Sequence, residues 1–131
     1  MGRIREGGCL CGAVRFKTDG EPLNVRICHC RTCQKAMGSP FYARALFDAR
    51  AVTVEGETAH YATSEALHRE FCPACGTRLF SRRTNGTAVG VALATFDDRN
   101  AFAPTEHIWV SEKIEWVRID DGLTQHPGTV T

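Results

Sequence analysis

The chain has 131 residues, 43% hydrophobic and 24% charged, with 16 basic against 15 acidic side chains. That length suits one domain, here residues 1–131, with its own core, and the composition excludes a disordered chain. The near-neutral balance, with no basic run longer than Arg82-Arg83, lacks the concentrated field of a nucleic-acid groove.

The chain opens on "MGRIREGGCLCG", which has no apolar core of the signal-peptide kind, and the myristoylation pattern at Gly2 fails at Glu6. No apolar run reaches the length of a membrane span. These features predict a soluble, cytoplasmic protein with no membrane partner. The first chemical signal is "CLC": residues i and i+2 of a strand share a face, so Cys9 and Cys11 can aim at one metal. "AVRFKTDG" alternates Val14 and Phe16 with Arg15 and Lys17 and ends in a turn, which reads as a strand. "CHCRTC" follows, with Cys28, Cys30 and Cys33, and the one helix predicted is short, over "RTCQKAMG", ending at Gly38.

Further strands are predicted over "FYARALF" and "AVTVEG", and weaker ones over "HYAT" and "LHREF". "CPACG" is a strong metal knuckle, because Pro73 stiffens the turn between Cys72 and Cys75 and Gly76 permits the backbone to bend. "TRLFSRRTNGTAVGVALATF" reads as a hairpin on the Asn85-Gly86 turn. "HIWVS" and "KIEWVRI" alternate as two last strands, and "DDGLTQHPGTVT" reads as a loose tail. The expected fold is mainly β, of antiparallel sheets with zinc knuckles and little helix.

An odd set of seven cysteines in a chain without a secretory leader points to metal ligation or thiol chemistry rather than disulfides. Zinc on thiolates takes four ligands when structural, and a reactive site keeps an open position. The count favours Cys9, Cys11, Cys72 and Cys75 as a closed set, leaving Cys28, Cys30 and Cys33 as an open one. A ribbon-like pairing of Cys30 and Cys33 with Cys72 and Cys75 is the competing partition. No GxxxxGK, GxGxxG or G-x-S-x-G motif is present, which removes nucleotide enzymes and common hydrolases.

"GGCLCGAVRF", "CHCRTCQKAMG", "REFCPACGTRLF" and "PTEHIWVSEKIEW" together resemble the family of glutathione-dependent formaldehyde-activating enzymes and their centromere-protein V relatives, over roughly residues 5–118. The resemblance implies a β-tent fold similar to that of Mss4-like zinc proteins. It implies two zinc ions: a structural one on Cys9, Cys11, Cys72 and Cys75, and a catalytic, labile one on Cys28, Cys30 and Cys33. The activity implied is that of a carbon–sulfur lyase acting on a thiol adduct such as S-hydroxymethylglutathione, with a small thiol, glutathione, as partner. Three thiolates soften zinc as a Lewis acid, so thiol handling is expected to outweigh carbonyl activation. The alternative is a non-enzymatic, zinc-stabilised protein- or nucleic-acid-binding module, with no deep opening beside Cys28–Cys33.

Around the site, His29 reads either as a proton shuttle or as a packed structural group. Strand-like alternation sends it away from the thiols, against its being a fourth ligand. His107 is a second candidate, since the family resembled also places histidine in this segment. His60, His68 and His126 read as ordinary. Arg31, Lys35 and Arg44 are candidates for an anionic substrate, and Phe41, Tyr42, Phe80 and Trp109 for an apolar wall or the core. Glu6, Glu70 and Glu106 show no paired-carboxylate spacing, and Asp97-Asp98 with Asn100 reads as a turn. Exposed strand edges would suit a homodimer, but no residue demands one.

Overall fold

The computed structural model describes residues 3–130, so the acylation pattern at Gly2 lies outside the described residues. Eleven strands follow in chain order: β1 (Ile4–Gly8), β2 (Arg15–Asp19), β3 (Asn24–Cys28), β4 (Tyr42–Asp48), β5 (Val52–Glu55), β6 (Ala59–Ala62), β7 (Leu67–Phe71), β8 (Arg78–Arg83), β9 (Ala88–Ala92), β10 (Glu106–Ile108) and β11 (Thr124–Gln125). A single α-helix among the described residues, α1 (Arg31–Met37), lies between β3 and β4. None of the described helices is long and apolar enough to cross a membrane.

The strands form two sheets. A small antiparallel one has the order β1-β2-β5, and an eight-stranded one has the order β11-β10-β3-β4-β9-β8-β7-β6. β2 shows why they pack: Phe16 and Thr18 are buried, while Lys17 and Asp19 face water. Phe16 meets Phe80 and Phe96 edge-on at 5.5 and 5.2 Å, joining Val14, Ala45, Phe47, Leu79, Val89 and Val91 in the main core. Gly7 is required there, because a Cβ would sit 2.3 Å from the Thr95 carbonyl and 2.4 Å from the Phe16 ring. β9, between β4 and β8, is buried along all five residues, which accounts for its run of Ala, Val and Gly.

The predicted helix is present. Cys30 caps its start by accepting from the Cys33 N–H at 3.3 Å, and Gly38 ends it in the left-handed region at φ 58°. The hairpin closes at Gly86 (φ 76°), with the strand after it ending at Ala92 in a 3-10 turn over Leu93–Thr95 rather than running to Phe96.

Four local expectations change. β1 and β3 are strands where none was predicted: "IREGG" has no apolar alternation, whereas "NVRIC" does alternate Val25 and Ile27 with Asn24 and Arg26. "CLC" lies in the turn after β1 rather than in a strand. The strand expected over "KIEWVRI" is absent: Trp109 is left-handed at φ 57°, a 3-10 turn covers Val110–Glu112, and Val117 turns back to bond the Ile114 carbonyl. The tail is docked rather than loose, since β11 pairs with β10 and the N–H groups of Trp109, Val110 and Ser111 bond the carbonyls of Gly128, His126 and Pro127. β10 runs parallel to both β3 and β11, an exception to the antiparallel pattern.

Candidate metal centres

β1 ends at Gly8 and delivers Cys9 into a tight turn, where the Cys9 N–H bonds the Val14 carbonyl at 3.0 Å and Gly12 turns at φ 84°. The second half of the set comes from the turn between β7 and β8. There the Gly76 N–H bonds the Cys72 carbonyl at 2.8 Å and Gly76 takes φ 78°. Alternation along a strand is therefore not what joins Cys9 to Cys11; a turn bends both sulfurs to one point.

The four sulfurs of Cys9, Cys11, Cys72 and Cys75 all lie within 4.8 Å of one another. Cys9 to Cys11 is 3.6 Å and Cys11 to Cys72 is 3.8 Å. Zinc–sulfur bonds of about 2.3 Å in a tetrahedron place neighbouring sulfurs about 3.8 Å apart, so the set fits zinc. Local donors favour thiolates. The Thr77 hydroxyl, 3.1 Å away, and its backbone N–H hold Cys75 down to about 5. Burial opposes ionisation of Cys9, but the Val14 N–H at 3.3 Å and neighbouring thiols bring it below its ordinary value. Cys11 goes the other way: the Ala13 N–H lowers it, but its hydrogen bond with Cys9, then burial and the Cys75 and Cys72 thiols, outweigh this and raise it to about 11. That imbalance is what a divalent cation removes.

Cys28, Cys30 and Cys33 form a second set, again with all sulfurs within 4.8 Å. Cys28 ends β3, Cys30 caps α1 and Cys33 lies in its first turn, so strand end and helix start carry the ligands on one short segment. Without a cation the three share one charge. Hydrogen bonds from Cys28 and Cys33 lower Cys30 to about 2. Cys28 is raised by Cys30, by Cys33 and by burial. Cys33 gains from its bond with Cys28, but Cys30 and burial outweigh this and raise it. Three thiolates together require a metal between them, and the donor set fits zinc with one open position.

The two sets differ in what surrounds them. Cys28, Cys30 and Cys33 line a cavity of about 340 Å³ together with Thr32, Tyr42, Arg44, Arg69 and Arg83. Among the described residues no carboxylate lines it. Arg69, on β7, is 4% exposed and its Nη2 donates to the Cys33 sulfur at 3.4 Å. Its guanidinium carbon stands 5.4 Å from the centre of the Tyr42 ring, and the Tyr42 hydroxyl lies 3.1 Å from Ser81 Oγ. Arg44 donates to Asn24 at 2.6 Å.

His29 follows Cys28 and is fully buried, yet it does not line the cavity. Its Nε2 meets His107 Nδ1 at 2.9 Å, and His107 Nε2 meets Asp121 at 2.8 Å. Burial, then the neighbouring His107 and Lys113, lower the His29 pKa and so favour its neutral ring. Structure thus brings the two candidate histidines together, but away from the thiols' open side. Arg44 and Tyr42 of the other candidates reach the cavity; Arg31 and Lys35 do not, and Phe80 lies in the core. His126 bonds Glu106 at 2.8 Å, and Glu70 is taken up by Arg82 and Thr58. Asp97 and Asp98 pair with Arg15 and Arg5.

Sequence reasoning missed Arg69, Arg83 and Asp121. For Arg69 a signal existed: "LHREF" is a strand with adjacent charges, one of which must face inward. Nothing in "DDGLTQ" marks Asp121.

Residues 4–112 match the family described as glutathione-dependent formaldehyde-activating enzyme. A Halomonas elongata protein provisionally named a glutathione-dependent formaldehyde-activating enzyme is 30% identical over 128 residues, covering 89% of this chain and 82% of that protein. An uncharacterised lyase of Schizosaccharomyces pombe is 38% identical over 81 residues, 62% of this chain, and the chain spans 59% of that protein's length. A Rhodobacter sphaeroides protein of known crystal structure shares the fold, with a TM-score of 0.58 at 22% identity, covering 92% of this chain and 98% of that one. With both cysteine sets inside the matched residues, this chain belongs to the glutathione-dependent formaldehyde-activating enzyme family.

Proposed function

We propose that this protein is a zinc-dependent carbon–sulfur lyase that makes and breaks the adduct of a small thiol with an aldehyde, the S-hydroxymethyl adduct of glutathione being the reference case. The observation that carries this reading is the opening of the Cys28–Cys30–Cys33 set onto a 340 Å³ cavity, while all four positions of the other set are thiols. A binding module has no use for that opening. In the forward direction a C–S bond forms between thiol sulfur and carbonyl carbon, and the thiol proton ends on the carbonyl oxygen. The reverse step returns thiol and aldehyde, so no oxidant or reductant is needed. Zinc held by Cys28, Cys30 and Cys33 would supply thiol acidification and carbonyl polarisation.

The chain's own residues do the rest. α1 and β3 hold the three sulfurs on one side of the cavity, and Arg69, also in the cavity wall, offsets their negative charge beside Cys33. Tyr42 and Ile108 give the cavity apolar walls that exclude water. His29 and His107 act as positioning residues: they brace the segment between two ligands against the docked tail through Asp121.

Metal analysis and exchange NMR test the reading. Two zincs per chain are expected, falling to one under a mild chelator. Zinc-loaded protein should accelerate exchange of ¹³C-formaldehyde with its glutathione adduct, and Cys30→Ser should not. Exchange no faster with wild type than with the variant would overturn the lyase reading.

A further inference from the structure

Arg69 carries more donors than its surroundings use. It is 4% exposed, Nη2 is spent on the Cys33 sulfur, and both Nε and Nη1 are buried with no hydrogen-bond partner among the described residues. An ionised guanidinium buried with unsatisfied N–H groups is unfavourable unless an acceptor arrives. A place for that acceptor is the reactive cavity, which Arg69 lines together with Arg44 and Arg83 and which no carboxylate of the described residues lines. A small side-chain adjustment must turn Nε or Nη1 toward it, since both are out of solvent contact. Arg44 is engaged by Asn24, and Arg83 is exposed at the rim. Arg69 is thus the buried arginine of the three with free donors.

We propose that Arg69 forms a carboxylate-binding subsite of the reactive cavity, so that the preferred thiol carries a carboxylate near its sulfur. This rests on the lyase reading above. The distances set the reach. A carboxylate accepting from the free nitrogens of Arg69 lies within roughly 9 Å of the Cys33 sulfur, given the Nη2–sulfur contact and ordinary hydrogen-bond lengths. Only a few bonds can therefore separate sulfur from carboxylate. The aldehyde partner cannot supply the charge when it is formaldehyde, which is neutral, so the thiol supplies it. Guanidinium binds carboxylate with charge-assisted bonds and planar geometry, which favours this anion class.

The test is calorimetric titration of zinc-loaded wild type and Arg69→Gln with 3-mercaptopropionate, its neutral methyl ester, and glutathione. The acid and ester present the same thiol on the same chain. Wild type should bind the acid about tenfold tighter than the ester, a preference set by one charge-assisted contact. In Arg69→Gln the preference should collapse, read as the ratio of acid to ester affinity within the variant, whatever the change in overall thiol affinity. If Arg69→Gln loses zinc, Arg69→Lys keeps the charge beside Cys33 and should still lower the preference severalfold. Glutathione weakened by the same substitution would assign the carboxylate to glutathione itself; glutathione unaffected, with the mercapto acid weakened, would assign it to smaller mercapto acids. Equal affinity for acid and ester in wild type overturns the subsite and leaves thiol binding standing. A preference that survives in Arg69→Gln with zinc retained overturns Arg69 as the anchor. Failure of every thiol to bind overturns the lyase reading on which the subsite rests.

Discussion

His29 Nε2 stands 2.9 Å from His107 Nδ1, and the two rings stack with centroids 5.1 Å apart. Asp121 accepts from His107 Nε2, which places the His107 proton there and leaves Nδ1 to accept from His29 Nε2. This hydrogen-bond network fixes both tautomers and ties the ligand segment, β10 and the tail together.

Removing the middle of that chain should cost stability without touching a ligand. His107→Phe leaves a buried His29 N–H with no acceptor, a loss of about 1–3 kcal/mol. Asp121→Ala should cost less, since Asp121 is half exposed and water can replace it. Urea denaturation of the zinc-loaded proteins measures both, and equal costs would contradict the buried-acceptor account.

The two cysteine sets should answer differently to the same substitution. Cys72 is fully buried in the main core, and structural zinc contributes on the order of 10 kcal/mol in zinc-finger peptides. Cys72→Ser should therefore unfold the protein or lower its melting temperature severely. Cys30→Ser keeps a hydroxyl to cap α1, so circular dichroism should stay native while the labile zinc is lost.

Of the glycines where a methyl would intrude, Gly7 and Gly90 differ in what their neighbours can yield. At Gly7 the obstacles are a backbone carbonyl and the Phe16 ring, which cannot step aside, so Gly7→Ala should destabilise by about 1–3 kcal/mol or more. At Gly90 they are Ser81 Oγ at 2.5 Å and Arg44 Cδ at 2.9 Å, both on side chains that line the cavity. Gly90→Ala should cost less in thermal denaturation but weaken binding of thiol ligands by calorimetry.

Acid should weaken the pairing around β10. Arg26, and then His126, hold the Glu106 carboxyl below its ordinary value. Because the folded value is depressed, the stabilisation is present above the ordinary carboxylate range and fades as pH falls through it. The stability difference between wild type and Glu106→Gln should be largest near neutral pH and shrink below about pH 4. A difference that stayed constant with pH would rule out the ion pair as its source.

Much of the fold was legible in the chain. Period-2 alternation marks β2 and β4, Asn85-Gly86 marks the β8–β9 hairpin, and Gly38 marks the end of α1. β1 escaped because its pairing rests on glycines that admit Phe16 and Thr95 rather than on apolar residues. "KIEWVRI" misled because alternation signals a strand only where a neighbour offers hydrogen bonds, and the left-handed Trp109 turns the chain away first. Cysteine spacing favoured the four-plus-three grouping over a ribbon-like pairing of Cys30 and Cys33 with Cys72 and Cys75, and the sulfurs do gather in the favoured groups. For Arg69 the strand "LHREF" marks an inward charge but not its partner Cys33, 36 residues away, and for Asp121 nothing local marks its meeting with His107, 14 residues away.

β7 places Arg69 against Cys33, and three positions later, past a register shift at Glu70/Phe71, the chain delivers Cys72 to the other set. About 10 Å of strand therefore separates a residue touching one ion's ligands from a ligand of the other. Metals held by the two sets would thus share one strand as their support, so a substitution that displaces β7 is expected to lower the metal content of both, which elemental analysis would read.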